Sequence, residues 1–402
     1  MVVMKWCSVM RNHSILDIVA VLGLILVLLS CSDRGARDSS SLPLTGLRVS
    51  DVLAGGSDAG YDSGYKKASH VIAFEFPKDH GKHPGFRSEW WYLTSTLRTN
   101  RGRLFGVQYT LFRQAYAPQV AGASQWQNGQ MYLAHFAVTD VSGALHRADQ
   151  RFARQHKANA DVEIGPHFLA KIDDWRLEQI TDPEGISSEH GWRMQLNAQG
   201  VADGQNFGVS LELAIDTPPR LQGETGLSRK GIDQASYYYS LPRIPTKGAL
   251  TIDGENFQVA GLTWMDREWS TSVLADGVVG WAWLSLHLND GRDLMVFRLR
   301  RSDGQRDVFD HGLLVDENET KSLAHSDFEM RPVRFWQDPE GASWPVEWQV
   351  VLATGESLTV SAALDDQLME VGLVYWEGLV QVKDAQQNLL GEGYLELTGY
   401  RR

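Results

Sequence analysis

Apolar and polar residues alternate along most of the chain after residue 71, in short segments separated by Gly, Asn and Asp. These segments are rich in Val, Tyr, Trp, Phe and Thr, and none keeps a helical period. Such alternation predicts β-strands. Residues 91–97 with 104–112, and residues 284–288 with 293–299, are predicted hairpins. We therefore expect an all-β protein with few, short helices, one of them near residues 366–370.

The hairpin pattern occurs twice in the chain. Residues 90–97 and 104–113 resemble residues 280–288 and 294–300, and each copy ends on arginine. Each copy is followed by a Trp, an Asp-Pro-Glu-Gly turn and another Trp. Features repeated in the same order indicate two related β domains, although hairpins also converge on similar turns. Pro242 and Pro245 should interrupt a strand, so we place the domain boundary between Pro245 and Gly248.

The first 30 residues have the pattern of an export signal. Lys5 and Arg11 precede an apolar run, residues 18–29, that is too short to span a bilayer. The run ends in Leu-Leu-Ser before Cys31, which resembles the lipobox where bacterial prolipoproteins are lipidated and cleaved. Ser32 favours outer-membrane sorting in a Gram-negative host. We expect a protein that is lipid-anchored through Cys31 on the periplasmic side of the envelope.

The segment after the signal is rich in Ser, Gly and Asp, so it is predicted to be a flexible tether. The expected organisation has four parts: a signal peptide at residues 1–30, the tether at 31–67, an N-terminal β domain at 68–246 and a C-terminal β domain at 247–402.

Composition argues against several classes of protein. The net charge of −12 and the lack of a basic stripe argue against nucleic acid as a partner. Cys7 and Cys31 are the two cysteines, and Cys7 lies in the signal, so a disulfide or a cysteine metal site is not expected. The sequence has no Gly-x-Ser-x-Gly elbow, P-loop, dinucleotide-binding or zincin motif. We therefore expect no serine hydrolase and no cofactor.

The densest aromatic group in the sequence surrounds two acidic residues. It consists of Asp266 and Glu268 with the indoles of Trp264, Trp269, Trp281 and Trp283. Aromatic faces around an acid predict a concave apolar cavity with a poised carboxyl group. A tryptophan-rich strand pair can also be a filled core. In the cavity interpretation, burial raises the pKa of Asp266.

A second candidate site is a pair of histidines, His80 and His83. With Glu89 or His135 they could bind a metal ion. The intervening Gly81 indicates a turn rather than a helix face, which favours a hydrogen-bonded loop. We therefore predict no metal site.

Several segments together carry a resemblance to a known family. They are residues 76–84 (FPKDHGKHP), 87–92 (RSEWWY), 134–140 (AHFAVTD), 261–269 (GLTWMDREW), 280–283 (GWAW) and 393–400 (GYLELTGY). In this order they resemble the AttH and carotenoid 1,2-hydratase family of lipocalin-like proteins. The resemblance covers nearly everything after the tether. It implies two tandem lipocalin-like domains, each a β-barrel or half-barrel, and in many members a secreted lipoprotein.

The same resemblance implies acid chemistry at Asp266. The family includes carotenoid hydratases, and exported members labelled as hydrolases or as accessory proteins of ABC-type exporters. Alkene hydration needs a protonated carboxyl group and aromatic faces that stabilise a cation, and Asp266 fits that need. The hydratases have a His-x-Trp pair upstream, whereas this chain has tyrosines at 237–239, so the expected histidine base is missing.

Three functions are consistent with these features. The first is a carrier that binds an apolar or amphipathic small molecule near the domain junction and serves an ABC-type export or lipid-handling system. The alternative is a carotenoid 1,2-hydratase-like hydro-lyase or isomerase, in which Tyr237, Tyr239 and Trp264 assist the acid Asp266. The third is a docking protein for a transporter permease, with its cavity filled by its own side chains. The expected ligand-binding residues are Trp91, Tyr92, His135, Glu268, Trp281 and Trp283.

Overall fold

Strands make up nearly all of the regular structure in the computed structural model, which describes residues 64–118, 129–165, 167–180, 192–271, 274–317 and 319–401. The all-β prediction is confirmed, and the helix among these residues is a 3₁₀ turn at Lys78–His80. Within these ranges, no helix has the length and apolarity needed to cross a membrane. The signal, Cys31 and most of the tether lie outside them.

The first sheet has 13 strands, and neighbouring strands in it run antiparallel. Its main path runs β4-β3-β2-β1-β13-β12-β9-β8-β7-β6-β5, and β10 and β11 pair with β12. The strands are β1 (Ser88–Arg98), β2 (Leu104–Ala115), β3 (Gln130–Asp140), β4 (Leu145–Arg154), β5 (Ala160–Ile164), β6 (Phe168–Ile172), β7 (Trp175–Ile180), β8 (Trp192–Ala202), β9 (Gln205–Ile215), β10 (Arg220–Leu221), β11 (Leu227–Arg229), β12 (Ala235–Ile252) and β13 (Glu255–Ser270).

The first sheet curls into a nearly closed barrel. Strand β4 approaches β8, where Asp149 Oδ2 accepts a hydrogen bond from Val201 N at 3.0 Å. Large side chains fill the interior, and Tyr109, Trp175 and Trp91 are fully buried. The barrel is therefore a packed core, as in other small barrels whose interior side chains meet.

The second sheet has ten strands and forms a half-barrel. Its path runs β17-β16-β15-β14-β23-β22-β20-β19-β18, and β21 pairs with β22. The helix expected near residues 366–370 is instead strand β21, because Leu368 and Met369 are buried beside β22. The strands are β14 (Val278–Leu288), β15 (Asp293–Arg301), β16 (His311–Val315), β17 (Thr320–Ala324), β18 (Phe328–Gln337), β19 (Ser343–Leu352), β20 (Ser357–Ala362), β21 (Leu368–Glu370), β22 (Val374–Lys383) and β23 (Leu389–Leu397).

The two sheets divide between Ser270 and Val278, later in the chain than the predicted boundary at 245–248. Strand β12 runs through the predicted boundary, and β12 and β13 are both part of the first barrel. Of the two prolines expected to interrupt the strand, Pro242 lies in a β-bulge between Leu241 and Ile244, and Pro245 follows the bulge, opposite Leu262. A bulge accommodates proline because it locally suspends the ladder of backbone hydrogen bonds.

The repeated hairpins predicted from the sequence are confirmed. Strand β1 pairs with β2, and β14 pairs with β15. The first strand of each hairpin also pairs with the last strand of its own sheet, β13 or β23. This common arrangement agrees with two lipocalin-like units. The Asp-Pro-Glu-Gly turn of the first copy lies outside the described residues.

A third apolar core lies between the two sheets. Strands β1 and β13 face the barrel interior on one side and this layer on the other, so β1 is buried along nearly its whole length. The sheets approach closely at Gly106, where a Cβ atom would collide with the Tyr394 hydroxyl. The layer's largest members are Tyr92, Tyr238, Trp264, Trp281, Trp283, Phe297, Tyr375 and Tyr394.

Candidate functional site

A cavity opens within the layer between the sheets. The cavity has a volume of about 50 Å³. Four acidic side chains line it: Asp266 and Glu268 from β13, Glu377 from β22 and Glu396 from β23. Its aromatic lining includes Trp90, Tyr92, Phe112, Trp281, Trp283 and Phe297.

Asp266 is the acid on the first-sheet wall. Its carboxylate accepts hydrogen bonds from Tyr238 Oη at 2.6 Å, from Trp264 Nε1 at 2.7 Å, and from Ser240 Oγ. Burial raises the pKa of Asp266 to about 7, although these three hydrogen bonds oppose the rise. Because this pKa lies near neutrality, Asp266 can both hold and release a proton under physiological conditions.

The tyrosine that binds Asp266 is Tyr238, which corrects the prediction of Tyr237 or Tyr239. Successive strand residues point to opposite faces of a sheet, so the neighbours of Tyr238 face the first barrel. Tyr237 lies in the barrel core, and Tyr239 Oη is 2.6 Å from His80 Nδ1. The structure therefore does not bring Tyr237 or Tyr239 to the acid.

We expect Tyr238→Phe to raise the pKa of Asp266 and Tyr239→Phe to leave it unchanged. The Tyr238 hydroxyl stabilises the carboxylate by donating to it, so its removal favours the protonated form. Infrared titration of the carboxyl band of each variant measures this pKa, with Asp266→Asn identifying the band. Equal shifts in the two variants would show that the contact with Tyr238 has no specific effect.

Glu377 and Glu396 form the second-sheet wall, and neither was among the residues predicted from the sequence. They are directly opposite each other in the pairing of β22 with β23. Trp281 Nε1 donates to Glu396 Oε1 at 3.2 Å. Burial, and then the charge of Glu396, raises the pKa of Glu377 well above its usual range. Burial likewise raises the pKa of Glu396 to about 8.

Glu268 has a different environment from the other acids in the cavity. It forms a buried ion pair with Lys230 and accepts a hydrogen bond from Ser236 Oγ. The Lys230 ammonium also lies 5.3 Å from the ring centroid of Phe297 and 5.7 Å from that of Trp90. This cation therefore neutralises Glu268 at one side of the cavity.

The structure brings together most of the aromatic residues predicted for the site. Trp283 Nε1 donates to Tyr238 Oη at 3.2 Å, and its ring meets that of Tyr92 edge-on with centroids 5.1 Å apart. Trp281 lines the cavity. Trp264 does not line it but fixes the acid through its indole N–H. The predicted residues Tyr92, Glu268, Trp281 and Trp283 are thus cavity residues.

Trp91 and His135 lie away from the cavity, which corrects their predicted place in its lining. Trp91 faces the first barrel, where the Arg267 guanidinium lies 3.9 Å from its ring centroid. His135 lies behind the cavity wall, with Nδ1 2.8 Å from Tyr375 Oη. Burial lowers the pKa of His135 to about 3, so the imidazole is neutral.

The histidine loop considered as a metal site belongs to an ion cluster in the first barrel. Glu89 Oε1 lies 2.5 Å from Arg113 Nε, and Glu89 Oε2 lies 3.0 Å from His83 Nδ1 and 3.4 Å from Arg267 Nη2. Burial opposes ionisation, but the charge of Arg113 and the contact with His83 hold the pKa of Glu89 well below its usual range. Across the described ranges, no group of His, Cys, Asp and Glu is arranged to hold a metal ion.

Comparison with known proteins agrees with this architecture. The AttH-like family model matches residues 67–400. A solved AttH-type structure from Nitrosomonas europaea is 34% identical, with a TM-score of 0.70, and the match covers 83% of this chain and 99% of that one. Kievitone hydratase from Nectria haematococca is 16% identical, with a TM-score of 0.57 and coverage of 84% and 96%, and so shares the fold. The search of curated proteins found no match. The chain belongs to the AttH-like family.

Proposed function

We propose that the protein is a cofactor-independent acid catalyst that adds water to, or isomerises, a carbon–carbon double bond in an amphipathic small molecule. The observation that carries the proposal is Asp266, a buried carboxyl group with a pKa of about 7 that faces an aromatic cavity. A carboxylic acid that stays protonated near neutral pH is the group needed to protonate an alkene carbon.

The surroundings of Asp266 suit the cation that such protonation creates. Electron-rich indole and phenol rings attract positive charge to their faces. Trp90, Trp281 and Trp283 line the cavity around the acid, so a cation formed there would lie among aromatic rings. Water addition then gives an alcohol, and loss of a proton from a neighbouring carbon gives an isomer.

The other carboxyl groups favour catalysis over binding alone. Burial of carboxyl groups costs free energy unless their hydrogen bonds are satisfied. An apolar ligand gains nothing from Asp266, Glu377 and Glu396, whereas proton transfer requires such groups. Kievitone hydratase shares the fold, but at 16% identity this likeness concerns the fold alone. The proposal therefore depends on the carboxyl groups of this chain.

The second candidate function is a carrier of an apolar or amphipathic molecule. The predominantly aromatic lining of the cavity favours it, because such walls bind apolar ligands. In this proposal the predicted lipid anchor at Cys31 holds the protein at the outer membrane, and an ABC-type exporter is its partner. The docking hypothesis, which requires a filled cavity, has less support because open space remains between the sheets.

The test is to incubate the soluble chain that begins after Cys31 with terpenoid, polyene and hydroxylated aromatic alkenes in ¹⁸O-labelled water. Hydration would give an alcohol carrying one labelled oxygen, detected by mass spectrometry. A parallel incubation in D₂O detects isomerisation through deuterium bound to carbon. Tight binding without either label would support the carrier function instead.

A further inference from the structure

The pair of glutamates on the second-sheet wall has a geometry that suits proton sharing. Glu377 and Glu396 are cross-strand partners, so their side chains leave the same face of the sheet side by side. Both line the cavity, and Glu377 is only 1% exposed. Asp266 lines the same cavity from β13 of the other sheet. A molecule held between the sheets would therefore have Asp266 on one side and the glutamate pair on the other.

The pair lacks a neutralising cation. In the described part of the chain, neither Glu377 nor Glu396 has a salt bridge, and the Lys230 ammonium at the cavity is paired with Glu268. The Oε1 atom of Glu377 is buried and completes no hydrogen bond. Adjacent buried carboxylates repel each other, so the second ionisation of such a pair is strongly disfavoured. When one of the two groups ionises, the other therefore keeps its proton, and the pair then holds one proton.

The groups that face the pair reinforce this retention. Glu268 lies across the cavity, and its negative charge disfavours ionisation of Glu396, as does Asp266 once it has given up its proton, while Lys230 favours it. The tyrosines nearest Glu377 are Tyr92 and Tyr375. They act as neutral hydroxyl groups, since burial and the nearby glutamates raise the pKa of both phenols well above the usual value.

We propose that Glu377 and Glu396 hold one proton between them and that the ionised member is the base that accepts a proton from the attacking water, opposite Asp266. This inference rests on the proposed hydration function. The family's hydratases have a histidine that this chain lacks. In this proposal a glutamate of the second sheet serves as the base instead.

The proton balance of the reaction closes with these three carboxyl groups. The O–H bond of Asp266 breaks as a C–H bond forms, which leaves a cation and the Asp266 carboxylate. A water oxygen forms the C–O bond, and one of its protons passes to the ionised glutamate while the electron pair stays on the new hydroxyl oxygen. Transfer of one proton from the pair to Asp266 restores the starting state. The net reaction is alkene plus water to alcohol.

Infrared titration of the soluble chain tests proton sharing without a substrate. Protonated carboxyl groups absorb at a different infrared frequency from carboxylates, so their loss can be followed as the pH is raised through 8, near the raised pKa of Glu396, and beyond. Glu377→Gln should shift the titration of Glu396 to lower pH, because its charged neighbour is gone. Glu396→Gln should do the same for Glu377, and either variant suffices if the other fails to fold. Unshifted titrations would overturn proton sharing.

Glu347→Gln is the matched control for the titration. Glu347 lies on β19 of the same sheet, outside the cavity lining, where it pairs with Arg334 and accepts from Ser361. Its substitution should leave the protonated carboxyl bands unchanged.

The assignment of the base is tested in D₂O with an alkene that the wild type hydrates. In Glu396→Gln, Asp266 should still protonate the alkene reversibly, so deuterium enters the recovered substrate while alcohol formation falls. Equal loss of exchange and hydration, or full hydration, would overturn the assignment. In contrast, a failure of the proposed function itself would appear as no labelled product from the wild type, while the infrared result would still stand.

Discussion

Replacement of Asp266 with asparagine is expected to lower kcat for hydration by about 10²- to 10⁴-fold, the usual contribution of a general acid. Asparagine has nearly the same shape, and its amide oxygen can still accept hydrogen bonds from Tyr238 or Trp264. It cannot donate a proton to carbon. Because the cavity keeps its lining, we expect KM to change far less than kcat. Initial rates of labelled-alcohol formation across substrate concentrations separate the two constants.

The dependence of the hydration rate on pH is an independent test of the role of Asp266. Hydration requires Asp266 to be protonated and one glutamate of the pair to be ionised. With raised pKa values of about 7 for Asp266 and about 8 for Glu396, the wild-type rate should be greatest between these pH values and fall at higher pH. The residual rate of Asp266→Asn should lack this fall. Glu347→Gln is a suitable control because its carboxyl group lies outside the cavity, and it should keep the wild-type rate and profile. A folded Asp266→Asn variant with the wild-type rate would remove Asp266 from the mechanism.

Replacement of Glu89 with glutamine is expected to reduce the free energy of unfolding by about 3–5 kcal/mol, the typical cost of breaking a buried ion pair. The arginines that Glu89 neutralises, Arg113 and Arg267, are themselves no more than 1% exposed. Removal of the carboxylate leaves two buried cations close together with backbone carbonyls as their main partners. Urea denaturation, followed by tryptophan fluorescence, measures the change.

The control for this stability experiment is an exposed glutamate in a surface ion pair. Glu163 lies 3.2 Å from Lys157, and the two side chains are 43% and 67% exposed. Exposed pairs contribute less than about 1 kcal/mol, so Glu163→Gln should change the unfolding free energy little. If Glu89→Gln were equally mild, the cluster would not be a major support of the first barrel.

Local sequence features predicted the fold class and both hairpins, but they could not predict which face each residue occupies. Alternation gives a face only when one side of a sheet is polar, and β1 is buried on both sides. The sequence therefore could not separate Trp91, which faces the barrel, from Tyr92, which faces the cavity. The same ambiguity favoured Tyr237 and Tyr239 over Tyr238.

Glu377 and Glu396 could not be predicted as cavity residues from local sequence alone. Asp266 stood out because tryptophans surround it in the sequence, whereas Glu377 and Glu396 become neighbours only through the pairing of β22 with β23. A local signal existed, since Glu377 directly follows Trp376 and Glu396 lies between Leu395 and Leu397. Such a residue is costly to bury without a function, and it is a reason to examine a strand for catalytic groups.

The apolar layer between the sheets also bears on how the chain can fold and evolve. A first barrel expressed alone, as residues 64–270, would present Tyr92, Tyr238 and Trp264 to water as one aromatic patch, and such patches promote aggregation. We therefore expect the two repeats to fold as one cooperative unit. Neither repeat should then be exchangeable between proteins without its partner, and the four acidic side chains of the cavity come together only when both halves have folded.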